Sequence, residues 1–208
     1  MLLRPYQEIA VNSASDALDK HGNTVVVAPT GAGKTIMLSS LIGKRKDNKN
    51  VLVLQHRDEL VNQNMDKFKR VNPNISTSVV NAEAKDWSGD TVFSMVQTLS
   101  RPNNLQNMKP IDMVVVDESH HIVADTYLRI INHAKQTNEN VEIVGFTATP
   151  NRGDKKGLRE VFTNCSHQIE ISTLIREGFL VTPRTYVIDV GVRSELQNVR
   201  KTVVDFDM

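Results

Sequence analysis

Three short clusters in this 208-residue chain have residue types and spacing suited to chemistry. The first is Ala28-Pro-Thr-Gly-Ala-Gly-Lys-Thr35. A loop of this kind turns consecutive backbone N–H groups inward, where they cradle phosphate oxygens. Gly31 and Gly33 let the backbone come close without a Cβ in the way. Lys34 is placed to reach the β- and γ-phosphates, and the Thr35 hydroxyl to hold Mg²⁺. The usual pattern, G-x-x-x-x-G-K-[ST], has glycine where Ala28 stands. The plain alternative is a turn that happens to carry Gly-Lys-Thr. It does not explain the β-rich run before the loop and the helical pattern after it.

The second cluster is Asp117-Glu118, at the end of the apolar run Met113-Val-Val-Val116. An Asp there can hold Mg²⁺ directly or through water, and the neighbouring Glu can polarise an attacking water. Mg²⁺ prefers hard oxygen ligands and keeps several waters, so few protein ligands are needed. Asp117, Glu118 and Ser119 also suit a helix N-terminus. That accounts for any one of them, not for an acidic pair at a strand end in a chain that also has a phosphate loop. His120 is expected to hydrogen-bond and His121 to pack or face solvent, since no Cys or second His cluster offers zinc spacing. The third cluster is Thr147-Ala-Thr-Pro150, whose hydroxyls can bridge the site to a moving partner or cap a turn.

These clusters need a frame. Thr24 to Val27, Val51 to Leu54, Ser76 to Val80, Thr91 to Ser94, Met113 to Val116 and Val141 to Phe146 read as strands. Apolar runs without alternation suit the centre of a parallel sheet covered on both faces. Helical spacing places Tyr6, Ile9, Ala10, Ala14, Ala17 and Leu18 on one face, opening at Pro5 and ending at Gly22. A helix follows Thr35, another carries Leu60, Val61, Met65 and Phe68 inward, and Met95 to Leu99 is a short helical turn. A further helix places Val123, Tyr127, Ile130, Ile131 and Ala134 on one face. Repeated strand–helix order predicts a doubly wound α/β domain with ligands at the carboxyl ends of its strands. In the tail, Asn151 to Gly157 reads as a basic loop, Ser172 to Gly178 as a short helix and Arg184 to Asp189 as a strand.

Composition sets bounds. Hydrophobic residues are 39% and charged residues 24%, ordinary for a globular chain. A net charge of +1 gives no global attraction to nucleic acid or membrane, so any nucleic-acid site must be a local patch. Cys165 is the only cysteine, which excludes an internal disulfide and points to a reducing compartment. No apolar run is long enough to span a membrane and no signal-peptide pattern opens the chain. A cytoplasmic location, or a nuclear one in a eukaryote, is expected.

Asp117-Glu-Ser-His120 resembles the Asp-Glu-x-His box of superfamily 2 helicases and translocases, and Ala28 to Thr35 resembles their first motif, where Ala commonly replaces the first glycine. Arg4-Pro-Tyr-Gln7 resembles their glutamine motif, in which the Gln reads the adenine edge. Residues 53–60 and 94–99 resemble motifs that touch nucleic-acid phosphates, and Thr147 to Pro150 the motif linking the nucleotide site to a second domain. Residues 174–183 are similar to a segment of the repair and restriction branches. Ser119 stands where Ala is commoner.

The resemblance implies a RecA-like P-loop NTPase domain over residues 1–183, with 184–208 starting a linker toward a second RecA-like domain. It implies ATP and Mg²⁺ as cofactors. Arg4, Gln7, Pro29, Thr30, Gly31, Ala32, Gly33, Lys34 and Thr35 would bind nucleotide, and Thr35 and Asp117 would hold the metal. Lys34 and Glu118 would be catalytic, and His120, Thr147 and Thr149 would couple the site to movement. Gln55, His56, Arg57, Gln97 and Thr98 would contact nucleic acid, DNA by analogy with the nearer branches. A P-loop kinase or small-molecule ATPase, and a nucleotide-sensing module that never turns over, are the alternatives.

Overall fold

A computed structural model describes residues 2–45, 47, 49–149 and 157–182. Valine-rich runs bounded by turn residues form short strands here, and amphipathic stretches between them form helices. The order is α1 (Pro5–His21), β1 (Asn23–Val27), α2 (Lys34–Arg45), β2 (Val51–Gln55), α3 (Asp58–Val71), β3 (Thr77–Val80) and β4 (Thr91–Met95). There follow α4 (Val96–Leu99), α5 (Pro102–Leu105), β5 (Met113–Asp117), a 3₁₀ turn (Ser119–His121), α6 (Asp125–Thr137) and β6 (Glu142–Thr147). A second 3₁₀ turn (Leu158–Glu160), β7 (Cys165–Gln168) and α7 (Ile171–Arg176) complete it.

The strands form one seven-stranded sheet in the order β3-β4-β2-β5-β6-β1-β7. Every pairing is parallel. Residues of β2 alternate between two cores: Val51 and Val53 join one cluster, Leu52 and Leu54 the other. The first cluster takes Ala10, Ala14 and Leu18 from α1, Leu38 and Leu41 from α2, and Phe68 from α3. The second takes Leu99 from α4 and Tyr127, Ile130 and Ile131 from α6. Both faces are covered, which is why the central strands are apolar along their whole length. The chain leaves β1, skips the positions of β6 and β5, and lands at β2. That jump opens a crevice at the carboxyl ends of the strands, where doubly wound sheets place ligands.

At the opposite end, Arg45 closes α2. Its guanidinium donates to Glu142 at the start of β6, to the Ser15 carbonyl and to Asp19. One side chain thereby ties α1, α2 and the sheet.

The RecA-like α/β expectation holds, with local differences. Ile9 is 54% exposed and lies off the packed face of α1. As the sequence reading had it, no helix separates β3 from β4, and the loop that joins them is bridged at Val80 and Lys85. β7 was not expected. Its sequence is polar and half-exposed, and only pairing with the outer edge of β1 makes it a strand. The expected short tail helix is α7, with Gly178 in the left-handed region just beyond it. Pro150, the loop at 151–156, the strand at 184–189 and the linker lie outside the described residues. No helix among the described residues is long and apolar enough to cross a membrane.

Candidate nucleotide site and strand edge

The sheet brings the three chemical clusters together. Thr147 lies level with Val27 in the β1–β6 register, and Asp117 level with Phe146 in the β5–β6 register. The loop of residues 28–33 is pinned at its start by the Ala28 N–H, which donates to the Thr147 carbonyl at 2.8 Å. Gly31 and Gly33 have φ of 85° and 82°, the left-handed region that side chains avoid. A Cβ at Gly33 would stand 2.5 Å from Gln7 Nε2. The loop closes on the N-terminus of α2 at Lys34, so the helix dipole and free N–H groups face the crevice.

Lys34 Nζ lies 3.6 Å from Glu118 Oε1. Glu118 is the one non-glycine described residue with positive φ, at 51° with ψ 50°. A side chain held there costs on the order of 1–3 kcal/mol, and such strain clusters at functional sites. The Glu118 carboxylate faces Lys34 from this backbone position. Asp117 is 8% exposed, with Oδ1 accepting from the Glu118 N–H at 3.0 Å and Oδ2 from Asn64 Nδ2 at 3.0 Å. Burial, then the Glu118 charge, push its carboxyl above the usual range, against the Glu118 N–H, Lys34 and Asn64. Asn64 also accepts from the Thr35 hydroxyl at 3.2 Å.

His120 Nδ1 stands 3.3 Å from Glu118 Oε2 and 3.2 Å from Thr147 Oγ1. The Thr147 hydroxyl in turn donates to the Thr149 carbonyl and accepts from its N–H. The acidic box and the Thr147–Thr149 turn are thus one hydrogen-bonded unit. His121 stacks on the His56 ring at 4.6 Å between centroids and meets His120 at 4.0 Å.

On the base side, Gln7 is buried and its amide is already engaged. Oε1 accepts from the Arg4 N–H at 3.0 Å and Nε2 donates to the Ala32 carbonyl at 3.0 Å. Tyr6 donates to the same carbonyl at 3.1 Å. Gln7 therefore locks α1 to the phosphate loop. Arg4 lies over the Phe179 ring at 5.1 Å, and Tyr6 meets it edge-on at 5.0 Å. Leu180 packs over Gly31.

At the neighbouring edge, a cavity of about 510 Å³ is lined by Gln55, His56, Arg57, Asp117, Glu118, His120 and His121. His56 and Arg57 are exposed, and Gln97 Nε2 lies 3.3 Å from His56 Nδ1. Gln55 and Thr98 are less accessible than the sequence reading supposed, at 1% and 6% exposed, and the Gln55 amide is shut off from solvent. Gln55 ends β2, whose residues are buried throughout, and its amide atoms have no partner in the protein. Sequence reasoning missed Asn64, and it singled out residues 174–183 without the contacts that Phe179 and Leu180 make at the loop. The signal for Asn64 was a polar residue on the inward face of α3, between Val61 and Phe68.

The fold and these loops define the first RecA-like domain of a superfamily 2 helicase or translocase. The family described as type III restriction enzyme, res subunit, matches residues 1–152, and the chain belongs to that family. The chain is 28% identical over 222 aligned residues to a Saccharomyces cerevisiae protein described as "Putative ATP-dependent helicase IRC3", covering 100% of this chain and 32% of that protein. A Schizosaccharomyces pombe protein, "Putative mitochondrial ATP-dependent helicase irc3", is 29% identical over 203 residues, covering 93% and 33%. The chain thus spans about a third of the length of these curated relatives. The helicase domain of Pyrococcus furiosus Hef superposes with a TM-score of 0.62 at 23% identity, covering 74% of this chain and 34% of that one.

Proposed function

We propose that the chain is the ATP-binding half of an ATP-dependent helicase or translocase acting on nucleic acid, DNA rather than RNA. The observation that carries the reading is the convergence of Lys34, Thr35, Asp117 and Glu118 at one crevice. The site fits Mg-ATP. A helix N-terminus and two left-handed glycines receive phosphates, and the oxygens of Thr35 and Asp117 are the hard donors Mg²⁺ prefers. Mg²⁺ supplies charge neutralisation on the transferring phosphoryl group.

In this reading the N–H groups of Thr30, Gly31 and Gly33 hold the phosphates, and Lys34 exchanges its contact with Glu118 for the β- and γ-oxygens. Glu118, so released, orients and deprotonates the attacking water. His120 keeps Glu118 aimed and passes its position to Thr147 and Thr149. Arg4 and Gln7 hold the base. His56, Arg57 and Gln97 track the strand phosphates without reading sequence. A second RecA-like domain closes the other wall, and residues 184–208 lead toward it. The relatives' names speak for ATP-dependent helicases, and MPH1 of Pyricularia oryzae, 27% identical over 168 residues, is named a DNA helicase. A reducing aqueous compartment, cytoplasmic or nuclear, suits the single thiol.

The test is steady-state ATPase of the full-length protein with no nucleic acid, with DNA and with RNA. Stimulation by DNA is expected. Turnover indifferent to both, or phosphate transfer to a small molecule, would refute the reading.

A further inference from the structure

Asn64 is 3% exposed and sits in the middle of α3, outside the loops that carry the chemistry. Its amide touches both side chains of the proposed metal pair. Nδ2 lies 3.0 Å from Asp117 Oδ2, and Oδ1 lies 3.2 Å from Thr35 Oγ1. The chemistry fixes the direction of each bond. An ionised carboxylate only accepts, so the amide N–H₂ faces Asp117. The amide oxygen then faces Thr35, whose hydroxyl donates to it. A hydroxyl that gives its hydrogen to Asn64 turns its lone pairs away from Asn64, ready for a cation. Asp117 is likewise held from behind: Oδ2 by Asn64 and Oδ1 by the Glu118 N–H.

We propose that Asn64 is a positioning residue that joins Thr35 to Asp117 and sets both for Mg²⁺ before nucleotide arrives. The inference rests on the reading of those two residues as the metal pair. A purely structural amide in α3 would have been expected to bond the backbone of its neighbours. This one instead spans from the start of α2 to the end of β5, with one donor and one acceptor spent on one target each. Partners that orient metal ligands in this way are worth tenfold to a hundredfold in metal affinity.

The test is calorimetric titration of the protein with ADP, with EDTA present and again across a range of Mg²⁺, for wild type, Asn64→Leu and Asn64→Ser. Asn64→Leu keeps the volume and removes both hydrogen bonds. It should leave Mg²⁺-free ADP affinity unchanged and weaken the Mg²⁺ dependence by about tenfold. Asn64→Ser keeps a small polar group and leaves room for water, so it should fall between. If Asn64→Leu does not fold, the Ser variant alone is read by the same titration. Equal loss with and without Mg²⁺, accompanied by a lower Tm, would make Asn64 structural and overturn the proposal. Unchanged Mg²⁺ dependence would overturn it as well. If wild type shows no Mg²⁺ dependence at all, the metal-pair reading fails first and this inference falls with it.

Discussion

At the scale of single residues, the site is a set of charges held off their ligands by one another. Lys34 rests on Glu118 across 3.6 Å, with side chains 11% and 37% exposed. ATP phosphates offer Lys34 a stronger partner, because charge-assisted contacts to phosphate are short and multiply satisfied. Lys34→Ala should therefore leave the fold intact and weaken ATP binding by more than about tenfold. Calorimetry giving equal affinity would remove Lys34 from the phosphate site. Glu118→Gln keeps the shape and the hydrogen bonds but cannot take a proton. In the full-length protein it should bind Mg-ATP normally and lose turnover, and normal turnover would move the catalytic role elsewhere. Gly33→Ala tests the cradle itself. It forces φ near 82° on a side chain and drives a methyl toward Gln7 Nε2, so nucleotide affinity should collapse while far-UV circular dichroism stays put. These residues were legible in the sequence because each motif is local: four to eight consecutive positions carry the whole signal. Asn64 was not, because its meaning comes from α3 packing across to β5. Gln55 reads as a strand-end donor in sequence, but the same strand end lies under the crevice, and burial decides its neighbours.

At the scale of elements, the sheet is what makes distant motifs one site, and the Arg45 cluster holds the sheet's other end. Arg45 Nη2 lies 2.5 Å from Glu142 Oε1 and 2.9 Å from Asp19 Oδ1, with the Arg45 side chain 9% and Glu142 14% exposed. Asp19 is 64% exposed and adds little, since such pairs are screened by solvent. Glu142 is different. Burial pushes its carboxyl up, but hydrogen bonds from Arg45 and Lys49 outweigh that and hold it below the usual range. Arg45→Ala should cost about 2 kcal/mol in urea denaturation at neutral pH, the scale of hydrogen bonds to charged groups. A depressed carboxyl contributes stability that is present above its unfolded value and lost as pH falls through its folded value. Wild type should thus lose this increment only in acid, below about pH 4. The variant should lack that part of the acid slope, and parallel pH curves would show the cluster to be electrostatically idle. The principal strands and the longer helices were legible, because apolar runs and helical spacing are strong signals. β7 was illegible: Cys-Ser-His-Gln has no strand pattern of its own and exists as a strand only because β1 offers it an edge.

At the scale of the whole molecule, the described residues build one wall of the crevice. Phosphoryl transfer needs charge stabilisation around the γ-phosphate, and an arginine supplied from a facing body is worth roughly 10³–10⁵ in rate in NTPases. The described residues build a single sheet with its own two cores, and the proposed strand edge at His56, Arg57 and Gln97 opens on the same side as Glu118. A motor, the function proposed, also needs two bodies that close on ATP and reopen after hydrolysis, and the described residues supply one. The 208-residue chain purified by itself should therefore bind nucleotide weakly and hydrolyse it far below enzymatic rates. Its hold on DNA should be weak and fall steeply with salt, because it rests on a few phosphate contacts. Steady-state ATPase with single- and double-stranded DNA, across a range of protein concentrations, decides the matter. Robust DNA-stimulated turnover by the monomer would mean that the site is complete within this domain. Turnover that rises with the square of protein concentration would mean that a second copy provides the facing wall. Addition of a second RecA-like domain in trans should restore stimulation if such a domain supplies the facing charge, and Glu118→Gln in this domain should abolish what is restored.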